Sequence, residues 1–161
     1  MENKILKNPF VKNILSAIAV AGFGFILLNL AFIFDFLFTS LVLGLIKIFT
    51  PVDLMMTYGW FPPIMHGLYM IIIGLISWRI FKSKLRVLYK AIYLTVPTAA
   101  ALVTVGMFLY RWPLVAFLTG GLLSAGVLYS FYRTKQPWLY YYTVILIAVI
   151  LGIMGVLGVE I

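Results

Sequence analysis

Residues 13–47 read NILSAIAVAGFGFILLNLAFIFDFLFTSLVLGLIK, an apolar run broken by one charge, Asp35, and ended by another, Lys47. How this stretch divides decides the fold. A bilayer core about 30 Å thick takes roughly 20 helical residues at about 1.5 Å each. Residues 13–34 give a charge-free run of 22, enough to cross, whereas 36–46 give only 11. Stretched to 36–50, the second piece reaches about 22 Å as a helix, too short to cross unaided. Water would not tolerate Phe36-Leu37-Phe38 and Leu41 to Ile46 exposed. Residues 36–50 are therefore expected as a short outer helix, either interfacial and capping the bundle, or re-entrant.

Working outward, four more charge-free runs are long enough to cross: 54–78, 91–110, 112–132 and 136–159. The composition agrees. Of 161 residues, 65% are hydrophobic and 10% charged, and the mean hydropathy is +1.15. A soluble domain is about half apolar and a quarter charged. A soluble enzyme, a disordered chain and a nucleic-acid module are excluded, despite a net charge of +8. With no Cys there is no disulfide, thiolate or Cys-based metal chemistry.

Lys and Arg concentrate on the cytoplasmic side of membrane proteins. With five spans and the N-terminus inside, Lys4, Lys7, Lys12, Arg79, Lys82, Lys84, Arg86, Lys90, Arg133 and Lys135 lie inside, and only Lys47 and Arg111 outside. A sixth crossing over 36–50 would erase this bias. The four Trp all fall at span ends, Trp60 and Trp112 outside, Trp78 and Trp138 inside, as amphipathic indoles prefer. The first run also follows a basic stretch, as in a secretory signal. Its length and its Phe32-Ile33-Phe34-Asp35-Phe36 end, which offers no small-residue cleavage site, make it a retained span.

The expected architecture is an all-α integral membrane protein, a single membrane domain over 1–161 with N-in, C-out topology in the plasma or inner membrane. Helices are expected over 13–34, 62–81, 91–110, 113–132 and 137–159, with an inner basic loop at 82–90. Prolines Pro62-Pro63, Pro113 and Pro137 mark three helix starts, where a missing N–H costs nothing.

Candidate functional residues gather on the outer side. Asp35, Asp53 and Glu160 lie there, with the sole His, His66, one turn inside the second span, and Arg111. Ionisable groups near membrane depth are costly and point to function. Asp35, Asp53, His66 and Arg111, with Trp60 at the rim, are expected to form a polar vestibule of mixed charge, where His66 can exchange protons with Asp35 or Asp53 as partner. The plainer alternative is that Asp35 ends the first helix, that His66 bonds a loop carbonyl, and that all of them reach headgroup water. Asn29, deeper in the first span, needs a partner, either another helix or a ligand. Thr95, Thr98, Ala101 and Thr104 put small or polar groups on part of the third helix. Pro97 is expected to kink that helix and free the Tyr93 carbonyl, which neighbouring hydroxyls would satisfy.

Ala17/Ala21, Gly120/Ser124, Gly121/Ala125 and the Gly152, Gly155, Gly158 series let helices approach closely. These faces on helices 1, 4 and 5 suit internal packing, a homo-oligomer or a membrane partner. The inner basic cluster 79–90 orients the chain and attracts anionic lipid. One His and no Cys give no bis-His haem and no zinc signature, and no catalytic or nucleotide motif is present. No cofactor or metal is expected.

Trp60-Phe61-Pro62-Pro63, followed by a helix ending Trp78-Arg79, resembles the Trp-x-Pro-Pro opening of the translocator protein family (tryptophan-rich sensory proteins), also five-helix proteins of about this size. The likeness stops at residues 60–79, after a far longer first segment, and the aromatic and Asn-bearing patterns of the family's later helices are missing. No function is carried over from it. The expected function is transport or small-ligand binding through the outer vestibule. The alternatives are a non-catalytic subunit or scaffold of a larger membrane complex and, third, an outer-facing enzyme acting on lipid headgroups.

Overall fold

A computed structural model of the chain describes residues 8–49 and 61–157. Among these residues there are five helices: α1 (Pro9–Lys47), α2 (Phe61–Lys82), α3 (Val87–Phe108), α4 (Pro113–Arg133) and α5 (Trp138–Val156). There is no strand among the described residues. All five helices are long and apolar enough to cross a membrane.

The largest departure from the sequence reading is α1. It runs unbroken through Asp35, so residues 36–47 continue the first helix and form no separate outer element. At 39 residues it is about 58 Å long, nearly twice a bilayer core. A charge ends a hydropathy window, but a helix ends at caps, Gly or Pro. Between Asp35 and Lys47 there is no Pro and a single Gly, Gly44; the next proline is Pro51. The start is also earlier than expected. Asn8 caps α1, its side chain accepting the Phe10 N–H at 3.0 Å, and Pro9 follows in the first turn, where its lost donor costs nothing.

α3 is the central helix, touching each of the other four. The helices alternate in direction, so Ser77 late in α2 meets Tyr93 early in α3, while α1 and α3 run parallel, with Gly24 against Thr95. The apolar core has two parts. One lies where α1, α3 and α5 begin: Val20, Ala91, Leu94, Leu139, Tyr140 and Val144. The other lies toward the opposite, far end: Tyr69, Ile73, Val96 and Ala100, with Phe38 packed against them. Beyond Phe38, Leu41, Leu45, Ile48 and Phe49 are exposed.

Two buried threonines tie the helices. Thr95 Oγ1 lies 2.7 Å from the Ile92 carbonyl of its own helix and 3.3 Å from the Gly24 carbonyl of α1. Thr143 Oγ1 repeats the pattern, 2.8 Å from the Leu139 carbonyl and 3.2 Å from that of Ala91 in α3. Each hydroxyl satisfies its donor locally while bringing its helix against a neighbour's backbone. Trp78, Trp112 and Trp138 stand exposed at helix ends, as an aromatic belt requires.

Candidate functional site at the far end of the bundle

The site is built by α1, α2 and α3. Asp35 projects from α1, His66 from the second turn of α2, and Thr104 from the last turns of α3. His66 Nδ1 lies 3.5 Å from Asp35 Oδ2. On its other side, Nε2 lies 2.9 Å from Thr104 Oγ1, and that hydroxyl donates to the Ala100 carbonyl at 2.6 Å. Tyr69, one turn after His66, donates to the Ala31 carbonyl, one turn before Asp35, at 2.6 Å. Residues three or four apart share a helix face. Thus Ala31/Asp35, His66/Tyr69 and Ala100/Thr104 form three matched faces closing on one point.

That point is nearly dry. The His66 side chain is 10% exposed and that of Asp35 25%. Among the described residues no Lys or Arg reaches ion-pair distance of Asp35. A cavity of about 10 Å³ lies between Asp35, His66, Tyr69 and Ala100, walled by Phe32 and Val96; this is about the smallest space that holds one water. Asp35 Oδ1 is buried and has no hydrogen-bond partner among the described residues. A carboxylate oxygen in that setting is an acceptor without a donor.

The other expected site residues fall elsewhere. Arg111 is exposed in the α3–α4 turn, its Nε donating to the Tyr110 hydroxyl at 2.8 Å, a bond that raises the guanidinium's pKa above its ordinary value. It does not join Asp35. Asn29 faces outward and turns back on its own helix, Nδ2 donating to the Phe25 carbonyl at 2.8 Å, which supplies the partner the sequence demanded without a second helix. Asp53 and Trp60 lie outside the described residues. Among the described residues, the part of the expected vestibule that comes together is a carboxylate, an imidazole and a hydroxyl. Thr104 was noticed only as one of several small groups on its helix, and Tyr69 was missed, although its spacing from His66 already placed both on one face.

A second concavity is apolar. An open groove of about 500 Å³ runs between α1 and α3, lined by Ala19, Phe23, Leu27, Leu30, Leu88 and Ile92 among others. It lies toward the basic end, where Lys12 and Arg86 are exposed. No group of three or more His, Cys, Asp or Glu side chains that could hold a metal occurs among the described residues.

The class these features define is a multi-pass helical membrane protein with a partly buried carboxylate–imidazole pair near one end. Compared with protein-family models, curated proteins and solved structures, the chain matches none.

Proposed function

We propose that the protein is a small transport or small-ligand-binding bundle of the plasma or inner membrane, oriented N-in and C-out, with Asp35, His66 and Thr104 as its outer-facing site. One observation carries this reading: an acidic and an imidazole side chain from two apolar helices of spanning length are brought together, with one carboxylate oxygen left to accept among the described residues. Intramembrane ionisable groups are expensive, and they characteristically mark ion or substrate pathways. A purely structural role would be served as well by apolar residues of similar volume.

The test uses the full chain in liposomes and a panel of anionic, neutral and cationic solutes. Asp35→Asn and His66→Gln are expected to slow uptake of the wild-type substrate at least tenfold while helicity and elution volume stay unchanged. If both variants move every solute as the wild type does, the site is structural and the reading fails.

A second reading, a subunit docking a membrane partner or a second copy, is favoured by the glycines. Gly155 and Gly120 are used within the chain, where an added Cβ would meet Phe117 at 3.0 Å and Leu102 at 3.5 Å. Gly121 and Gly152 face open space, leaving small residues on lipid-facing surfaces where another helix can approach. Mass measurement in mild detergent decides between a monomer and an assembly. At the basic end, Arg79, Lys82, Lys84 and Arg86 supply the charge for anionic headgroups, at about 1 kcal/mol per cation near the surface.

A further inference from the structure

The groove between α1 and α3 is separate from the Asp35 site and opens outward between the two helices. Ala19, Phe23, Leu27 and Leu30 line it from α1, and Leu88 and Ile92 from α3. From Ala19 to Leu30 it follows α1 for about 16 Å. A water takes about 30 Å³ of liquid, and a methylene, also a single heavy atom, fills a similar space. The groove's volume of about 500 Å³ therefore admits a flexible chain of roughly sixteen carbons. A helix is a poorer occupant. Membrane helices approach closely over small residues, whereas beyond Ala19 the α1 wall is bulky, with Phe23, Ile26 and Leu30 each more than half exposed.

One end of this groove is charged. Gly24 and Thr95 meet across the parallel pair α1 and α3, which sets a common level. Lys12 lies twelve residues before Gly24 and Arg86 nine before Thr95. Those are about 18 and 14 Å in the same direction, so the two cations stand within about 5 Å of one depth. Lys12 is seven residues before Ala19 and shares its helix face, while Arg86 immediately precedes the turn that brings Leu88 and Tyr89 to the groove. Lys12, Arg86 and Tyr89 are all exposed, whereas the Lys90 ammonium is committed to the Phe81 carbonyl. Asp35, the one acid among the described residues, lies eleven residues beyond Gly24 in the opposite direction. We infer that the groove binds one anionic phospholipid, an acyl chain lying between α1 and α3 and the phosphate held by Lys12 and Arg86 beside the Tyr89 hydroxyl. Anionic lipids populate the cytoplasmic leaflet, the side to which the proposed orientation turns this end. The site goes beyond the transport reading and does not depend on it.

The test incubates the full chain in mild detergent with equal amounts of phosphatidylglycerol and phosphatidylcholine of the same acyl chains. Native mass spectrometry then reads which lipid is retained. The wild type is expected to keep one phosphatidylglycerol in about tenfold preference, the order that two cations at headgroup depth supply. Lys12→Gln combined with Arg86→Gln should bring the two lipids to parity. Arg133→Gln combined with Lys135→Gln removes the same charge at the end of α4, which does not border the groove, and should leave the preference unchanged. Ile26→Trp adds a bulky ring from an exposed position that lines the groove, so folding is not at risk; it should lower retention of both lipids severalfold. Ala19→Phe, nearer the charged mouth, should do the same. The inference is overturned if the wild type holds phosphatidylcholine equally well or retains no lipid, or if the Lys12 and Arg86 variant keeps the preference. Equal loss in the Arg133 and Lys135 variant would also overturn it, leaving only a diffuse attraction to the basic end. So would lipid retention undiminished in both filled variants, or a lipid-free dimer that Ile26→Trp breaks, which makes a second copy the occupant. None of these results bears on uptake through Asp35 and His66, which stands or falls on its own assay.

Discussion

At Gly24 the backbone of α1 lies directly against the Thr95 side chain, and this contact governs how closely the two helices pack. A Cβ at position 24 would sit 2.5 Å from Thr95 Cγ2, and Thr95 is buried with a β-branched side chain that has little freedom to move. Gly24→Ala is therefore expected to destabilise the protein by about 1–3 kcal/mol, as overpacking does. Adding Thr95→Ser removes the obstructing methyl, keeps the hydroxyl and should recover most of the loss in a thermal melt. A cost that persists in the double variant would mean that the contact is not the cause. The α4–α5 turn offers the opposite sign. Lys135 sits at φ 50°, in a helix-ending motif where Gln136 N–H reaches the Phe131 carbonyl and Lys135 N–H that of Tyr132. Gly is the usual residue there. Lys135→Gly should stabilise by about 1 kcal/mol, since a left-handed L-residue costs that much. At this scale the sequence was partly legible. The recurrent small-residue spacings were visible, yet Gly24 stood outside them, because a close approach is defined by the partner helix and not by a repeat.

At the scale of elements, four of the five helices lie within four residues of the expected 62–81, 91–110, 113–132 and 137–159, since their ends coincide with Pro, Trp or clustered cations. α1 differed because the charge that interrupts its apolar run, Asp35, is met by His66 across the helix interface at 3.5 Å. A single sequence shows the charge and not its partner. The same blindness assigned Arg111 to the site, because sidedness groups residues by depth and says nothing of direction around a helix. The length of α1 is directly measurable. The chain has no Cys, so spin labels can be placed singly at Phe25 and Leu45, both exposed on α1. Twenty residues of continuous helix predict about 30 Å between the two backbone positions. A helix that stopped at Asp35 and folded back would give a distance well short of that. Lys90 tests another joint: its ammonium donates to the Phe81 carbonyl at 2.8 Å, near the C-terminal end of α2. Lys90→Met keeps the aliphatic stem and removes the donor, and should lower stability by about 1 kcal/mol.

For the whole molecule, the alternation of helix directions turns the charge distribution into a test of orientation. Among the described residues, Lys12, Arg79, Lys82, Lys84, Arg86, Lys90, Arg133 and Lys135 belong to one end of the bundle, with Lys47 and Arg111 at the other. A bias of that size in short connections sets insertion, so the basic end should be cytoplasmic and the Asp35–His66 site should open outward. The Cys-free background again makes the measurement clean. Single cysteines at Lys84, exposed in the α2–α3 connection, and at Tyr110, exposed in the α3–α4 turn, should respond oppositely to a membrane-impermeant maleimide. In intact cells Tyr110→Cys should label fully and Lys84→Cys only after permeabilisation. Labelling of Lys84→Cys from outside would invert the molecule, and the site would then draw on the cytoplasm.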